Sequence, residues 1–288
     1  MESMKKKAKQ TPPPPSPTAD QDDGSAGGGD DRISALDDDL CELSLRLAHL
    51  NVRELVRTSV LSKRWRSLWK RLPVLDFFGW PVLLSAGDLR QYIAIVNDVL
   101  EQRAGAISEA RIDEVKIPLL LDAHSFLLLG QRQQRLWPAM EAAKAWIRYA
   151  MRHQVKGFQF NLCLPPLANN KALVIDLDEL PSSPKLECMR LGLRHAVVQL
   201  PRTAVFTSLR DLTLEFVQLA VGSGHLLARL LSSACCPILQ KLRMMHVFTS
   251  ELVLDAGELL ELSMECVCVD KMGFLELRTP KLLYLEMN

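Results

Sequence analysis

One short pattern governs what this chain can fold into: apolar-x-x-apolar-x-apolar recurs seven times. It stands at Ile112/Val115/Ile117, Val155/Phe158/Phe160, Leu186/Met189/Leu191, Leu209/Leu212/Leu214, Leu239/Leu242/Met244, Leu259/Leu262/Met264 and Leu282/Leu285/Met287. Alternation with a period of two turns the apolar side chains to one face of a strand. A single copy cannot bury that face alone, so the copies must stack into a parallel sheet with one continuous core. Pro184, Pro237 and Pro280 each stand two residues before the first leucine of a copy, where proline stops the preceding segment and favours extended entry.

Most copies follow one another at or near the interval of about 20 to 29 residues that characterises leucine-rich repeats. That consensus carries Asn or Cys three positions beyond the third apolar residue, and this chain has Arg194, Val217, Val247 and Val267 there. The polar ladder is missing, so the expectation is an irregular solenoid with loops of unequal length. The last copy reaches Asn288 without a polar cap, which predicts an open hydrophobic end. Residues between the apolar positions should face outward as a rigid, charged surface suited to a protein or a small molecule. The candidates for binding a target are Arg190, Arg210, Asp211, Thr213, Glu215, Lys241, Arg243 and Glu261. The plainer reading of each is a solvated strand residue.

The N-terminal third differs in kind. Residues 1–31 hold Pro12, Pro13, Pro14, Pro15 and Pro17 and a run of glycines among aspartates, a composition that cannot offset its ordering entropy. The Lys5-Lys6-Lys7-Ala8-Lys9 run reads as a nuclear import signal or as a solubilising tail. From residue 33 to 72 the period becomes helical. Leu36, Leu40, Leu43, Leu47 and Leu50 form one stripe, Asn51 with Glu54 has the spacing of a helix start, and Val52, Leu55, Val56 and Val60 make a second face. Ser62 can cap a third helix carrying Trp65, Leu68, Trp69 and Leu72 before Pro73. Three helices in about forty residues lie at the limit of independent stability. Their surplus apolar surface is covered either by another protein or by the rest of this chain.

Further on, the pattern predicts a helix over 88–103, a strand over 111–117 and a longer helix with Pro138 in its first turn, after which helix and strand alternate. The predicted fold class is α+β overall, a small three-helix unit followed by an irregular α/β leucine-rich-repeat solenoid. The predicted organisation is a disordered tail (1–31), a helical unit (32–76), a helical linker (77–108) and a repeat domain (109–288).

Several function classes fall away. Lys plus Arg is 35 and Asp plus Glu 34, a net charge of +1, so no global basic field gathers nucleic acid or anionic lipid. No apolar run reaches the roughly 18 residues of a membrane helix, and no secretory h-region follows the first lysines. The seven cysteines are scattered without a C-x-x-C pair, which points to a reducing compartment, nucleus or cytoplasm, with no disulfide framework and no metal site. Cys266 and Cys268 read as core residues on one face of a strand. Gly222-Ser223-Gly224-His225 reads as a turn, and the six histidines do not pair at i, i+4 or gather with carboxylates in the sequence. No catalytic motif or cofactor loop is present, so the expected protein is not an enzyme. The basic run from Arg53 to Arg71 could touch nucleic acid, but Trp65 and Trp69 lie on its apolar stripe, which argues against that partner.

The residues Asp31-Arg32-Ile33-Ser34-Ala35-Leu36, Asp38-Asp39-Leu40, the run Val52-Arg53-Glu54-Leu55-Val56-Arg57-Thr58-Ser59-Val60-Leu61-Ser62-Lys63-Arg64-Trp65-Arg66-Ser67-Leu68-Trp69, and Leu72-Pro73-Val74-Leu75-Asp76-Phe77 closely resemble the F-box of the plant F-box/leucine-rich-repeat family. Trp146-Ile147-x-x-Ala150 followed by Val155-Lys156-Gly157-Phe158 resembles the helix and first strand that open the repeat domain there. The resemblance implies a substrate-recognition subunit of a Skp-cullin-F-box ubiquitin ligase. The helical unit would dock on a Skp-type linker protein, reaching cullin and RING subunits indirectly, and the repeats would select an unknown target protein. By similarity Leu36, Asp37, Leu40, Leu43, Leu47, Val56, Val60, Leu61, Trp65 and Leu68 form or support the linker-binding face. Asp37 departs from the family's usual proline and should weaken docking. The alternative is a repeat-based scaffold or decoy that does not assemble into the ligase.

Overall fold

The strand-forming copies appear as neighbours because each, apart from the last, buries the same two alternate side chains against the next. The computed structural model describes residues 37, 39–40, 43, 50–58, 69–79, 83–104, 112–127, 132–166, 173–177, 182–249, 251–269 and 274–288. Its main sheet has eight parallel strands in sequential order. They are β1 (Val74–Asp76), β2 (Glu114–Leu120), β3 (Gly157–Cys163), β4 (Cys188–Arg194), β5 (Asp211–Glu215), β6 (Lys241–Met245), β7 (Glu261–Glu265) and β8 (Tyr284–Met287). Register follows the repeat. Val115 lies beside Phe158, Phe158 beside Met189, Met189 beside Leu212, Leu212 beside Leu242, Leu242 beside Leu262, and Leu262 beside Leu285.

β1 adds an eighth copy to the seven read from the sequence. Leu72/Leu75/Phe77 has the same spacing, all three are buried, and Leu75 pairs with Val115. The sheet therefore begins within the 32–76 unit, directly after Pro73, where the helical pattern ends.

Each rung then turns sharply. His195, Phe216, His246 and Cys266 hold left-handed φ values of 64°, 53°, 53° and 49° just beyond β4, β5, β6 and β7, at a cost of about 1–2 kcal/mol each for a side chain with Cβ. Bonds between rungs offset it: the N–H groups of Phe216, His246 and Cys266 donate to the carbonyls of Met245, Glu265 and Asn288 at 2.8, 2.8 and 2.9 Å. After the turn a second parallel sheet of five short strands forms, from Leu173–Asp176, Ala196–Gln199, Gln218–Leu219, Phe248–Thr249 and Cys268–Val269. Val217 and Val247, in the place of the missing polar ladder, are buried and lead into it. Leu252–Asp255 and Leu275–Arg278 make a two-stranded parallel sheet.

The described helices are α1 (Val52–Thr58), α2 (Asp88–Ala104), α3 (Ala123–Leu127), α4 (Arg132–Arg152) and α5 (Gly224–Leu230). α2 lies where its periodicity predicts. α4 begins six residues before Pro138, so the proline sits within the helix and not in its first turn. Met140, Ala143, Trp146, Ile147, Ala150 and Met151 are buried as predicted. Trp146 meets Tyr92 and Phe160 edge-on at 6.2 and 6.3 Å, and its indole N–H donates to Asn97 Oδ1 at 2.8 Å. Beyond α4 the expected alternation of helix and strand is not kept: α5 is the one helix among the described residues there, and turns join the sheets directly. The architecture is mixed α/β with few helices and open sheets, and residues 37–288 form one compact unit. Among the described residues no helix is long and apolar enough to cross a membrane.

Candidate functional site

Two surfaces carry the residues that the sequence singles out. The first begins at Asn51. Its Oδ1 accepts the Glu54 N–H at 3.0 Å, while the Glu54 carboxylate accepts the Asn51 backbone N–H at 3.2 Å and its carboxamide N–H at 2.8 Å, closing the reciprocal cap that the spacing predicts. The cap fixes the rotation of α1. Val52 and Leu55 turn inward, at 0% and 1% exposure, and Val56 turns outward at 40%. Trp69 and Leu72 join the core with Val52 and Leu55, and the Leu72 carbonyl accepts a 2.8 Å bond from the buried guanidinium of Arg103 on α2. Part of the apolar surplus is thus covered by the chain itself. Leu40 and Leu43, both helical, remain about half exposed, and Asp37 is exposed. Leu36, Leu47, Val60, Leu61, Trp65 and Leu68 lie outside the described residues.

The second surface is the polar face of the main sheet. Strand register aligns Cys188, Asp211, Lys241, Glu261 and Tyr284 in one row and Arg190, Thr213, Arg243, Ser263 and Glu286 in the next. All of these but Cys188 line a groove of about 280 Å³ over β4 to β8. Six of the eight predicted target-binding residues meet there: Arg190, Asp211, Thr213, Lys241, Arg243 and Glu261. Arg210 is exposed just before β5 and Glu215 is half-buried at its end, both outside the groove lining.

The groove is charge-balanced and internally ordered. Lys241 Nζ lies 2.9 Å from Glu261, whose carboxylate holds the ammonium above the usual lysine range by hydrogen bond and charge. Ser263 Oγ donates to Glu286 at 3.3 Å. Arg243 has no ion-pair partner among the described residues, which leaves a planar five-donor group directed at whatever enters. Thr213 corrects the outward-facing expectation: with 6% exposure it is a buried floor residue, flanked in register by the longer Arg190 and Arg243.

Two further sequence readings change. Cys266 and Cys268 are exposed rather than packed in the core, because the strand ends at Glu265 and Cys266 occupies the left-handed turn. His246, Glu265 and Cys266 come together across neighbouring rungs although no sequence spacing pairs them. Of the Gly222-Ser223-Gly224-His225 run read as a turn, Gly222 is in a turn at φ 78°, whereas Gly224 and His225 open α5.

The F-box domain family matches residues 47–77. An F-box/FBD/LRR-repeat protein of Arabidopsis thaliana is 51% identical over 47 residues, 16% of this chain and 10% of that protein. An F-box/LRR-repeat protein of Arabidopsis thaliana is 27% identical over 264 residues, 90% of this chain and 55% of its own length. An F-box protein of the same plant is 27% identical over 218 residues, covering 75% and 40%. The chain thus spans about half or less of the curated relatives it matches. No solved structure matches it. The chain contains an F-box and is similar over most of its length to plant F-box/LRR-repeat proteins.

Proposed function

We propose that this chain is a non-catalytic substrate-recognition subunit of a Skp-cullin-F-box type ubiquitin ligase. Its F-box docks on a Skp-type linker, which brings cullin and RING subunits, and its repeats, read as an irregular leucine-rich-repeat solenoid, hold the target protein. The observation that carries this reading is the continuity of the two parts. The F-box match ends at residue 77, one residue past the first strand of the parallel sheet, and Val52, Leu55 and Trp69 share one core with that sheet. An adaptor needs this rigidity, since a target presented by a loosely tethered module would not be held at a fixed distance from the ligase. The groove over β4 to β8, with paired and unpaired charges on a fixed backbone, suits a polar protein segment of mixed charge. The proposed compartment is nucleus or cytoplasm.

Asp37 favours the second reading, a scaffold or decoy outside the ligase, because an exposed carboxylate stands where the F-box resemblance implies a proline at the linker contact. Co-purification of the full chain with a plant Skp-type linker separates the two. The adaptor reading expects binding that Val56→Glu abolishes without unfolding the chain, since that side chain is exposed, and that Asp37→Pro strengthens. A folded chain that binds no linker even with Asp37→Pro leaves the scaffold.

A further inference from the structure

The turns that follow β6 and β7 place a nitrogen, an oxygen and a sulfur donor together. One ligand atom each from His246, Glu265 and Cys266 lies within 4.8 Å of the others. The three come from two neighbouring rungs, and their backbones are fixed independently of any ligand. His246 and Cys266 share the left-handed turn conformation, and the His246 N–H donates to the Glu265 carbonyl at 2.8 Å. The imidazole is oriented as well. It stacks on Phe216 at 4.7 Å with planes 9° apart, and Phe216 in turn lies 3.8 Å from the Arg194 guanidinium. Glu265 has no ion-pair partner among the described residues, and Cys266 is a free, exposed thiol. Neither the groove nor the F-box uses these three side chains.

Imidazole, carboxylate and thiolate are the donors that zinc takes, at about 2.0–2.1, 2.0–2.2 and 2.3 Å, so neighbouring ligand atoms in a tetrahedral site stand roughly 3.3–3.8 Å apart. Rotation of the exposed Cys266 and half-buried Glu265 side chains closes a difference of about 1 Å. Magnesium and calcium prefer oxygen-only sets and are poor fits. We propose that His246, Glu265 and Cys266 bind one zinc-class divalent cation at the rim of the main sheet, tying the β6 turn to the β7 turn. Binding releases the Cys266 thiol proton to solvent with no change of oxidation state. Three protein ligands leave the fourth position to water or to a donor from a bound protein.

Cobalt(II) titration of the full chain, reduced with a phosphine and stripped with a chelator, tests this. The expected result is uptake of one cobalt per chain with a thiolate-to-cobalt charge-transfer absorption that one equivalent of zinc bleaches. Cys266→Ser removes the absorption, His246→Ala weakens cobalt binding at least tenfold, and Cys268→Ser changes neither. In the unaltered chain, where folding of a variant is not at issue, zinc slows alkylation of Cys266 selectively. A folded chain with no thiolate–cobalt absorption, an absorption that survives Cys266→Ser, or Cys266 alkylation indifferent to zinc overturns the site.

Discussion

Asn51 shows how one side chain joins the F-box to the sheet. Its carboxamide serves the reciprocal cap of α1, and it also lies so close to Gly79, two residues past the β1 copy, that a Cβ there would overlap it. Gly79→Ala must therefore push Asn51 off its cap. The expected cost is about 1 kcal/mol, the usual loss when such a cap is removed, and because both changes break the same contact, Asn51→Ala combined with Gly79→Ala should cost no more than either alone. Urea titrations of the three variants check this, and fully additive losses would show that Gly79 acts elsewhere. The cap was legible in the sequence, since it depends on two residues three apart. Gly79 was not, because nothing local says which side chain folds back on it. The burial of Thr213 and the gathering of His246, Glu265 and Cys266 were hidden for the same reason: register between rungs decides them, across intervals of about twenty residues that fit no helical or strand spacing.

Strands were far more legible than residues, because a period of two fixes a face and its recurrence fixes a partner. All eight strands of the main sheet carry the recurring pattern. The copy at β1 is the least legible, since Leu72/Leu75/Phe77 lies 40 residues before the next copy and directly after a helical stripe. The second sheet escaped because strands of two to four residues give no periodicity to read. In the sequence Val217 and Val247, which lead into that sheet, read only as departures from a polar ladder, whereas they extend the core around the turn. β1 is the element on which the junction depends: Leu75 has 0% exposure and pairs with Val115. Leu75→Ala should lower unfolding free energy by about 2–5 kcal/mol, read as a fall in the urea midpoint of the full chain. A loss below about 1 kcal/mol would make β1 a peripheral strand and weaken the case for a rigid junction.

A sheet whose strands touch only their neighbours is nearly one-dimensional, so its two ends need not be equally stable. At the β1 end the core runs on into α1 and Trp69. At the other end β8 is an edge strand whose Tyr284, Leu285 and Met287 are 54%, 48% and 55% exposed. Apolar burial supplies most of the driving force for holding a strand in place, so opening should begin at β8 and rarely reach β2 or β3. Amide hydrogen exchange of the full chain should show the least protection in residues 284–287, intermediate protection in β6 and β7, and the greatest in β2 to β4. Uniform protection along the sheet would mean that it opens as one body. A gradient bears on recognition, because Tyr284 and Glu286 line the groove together with residues of the better-anchored strands. Under the proposed function, one wall of the groove would then be fixed relative to the F-box while the other adjusts to a bound target.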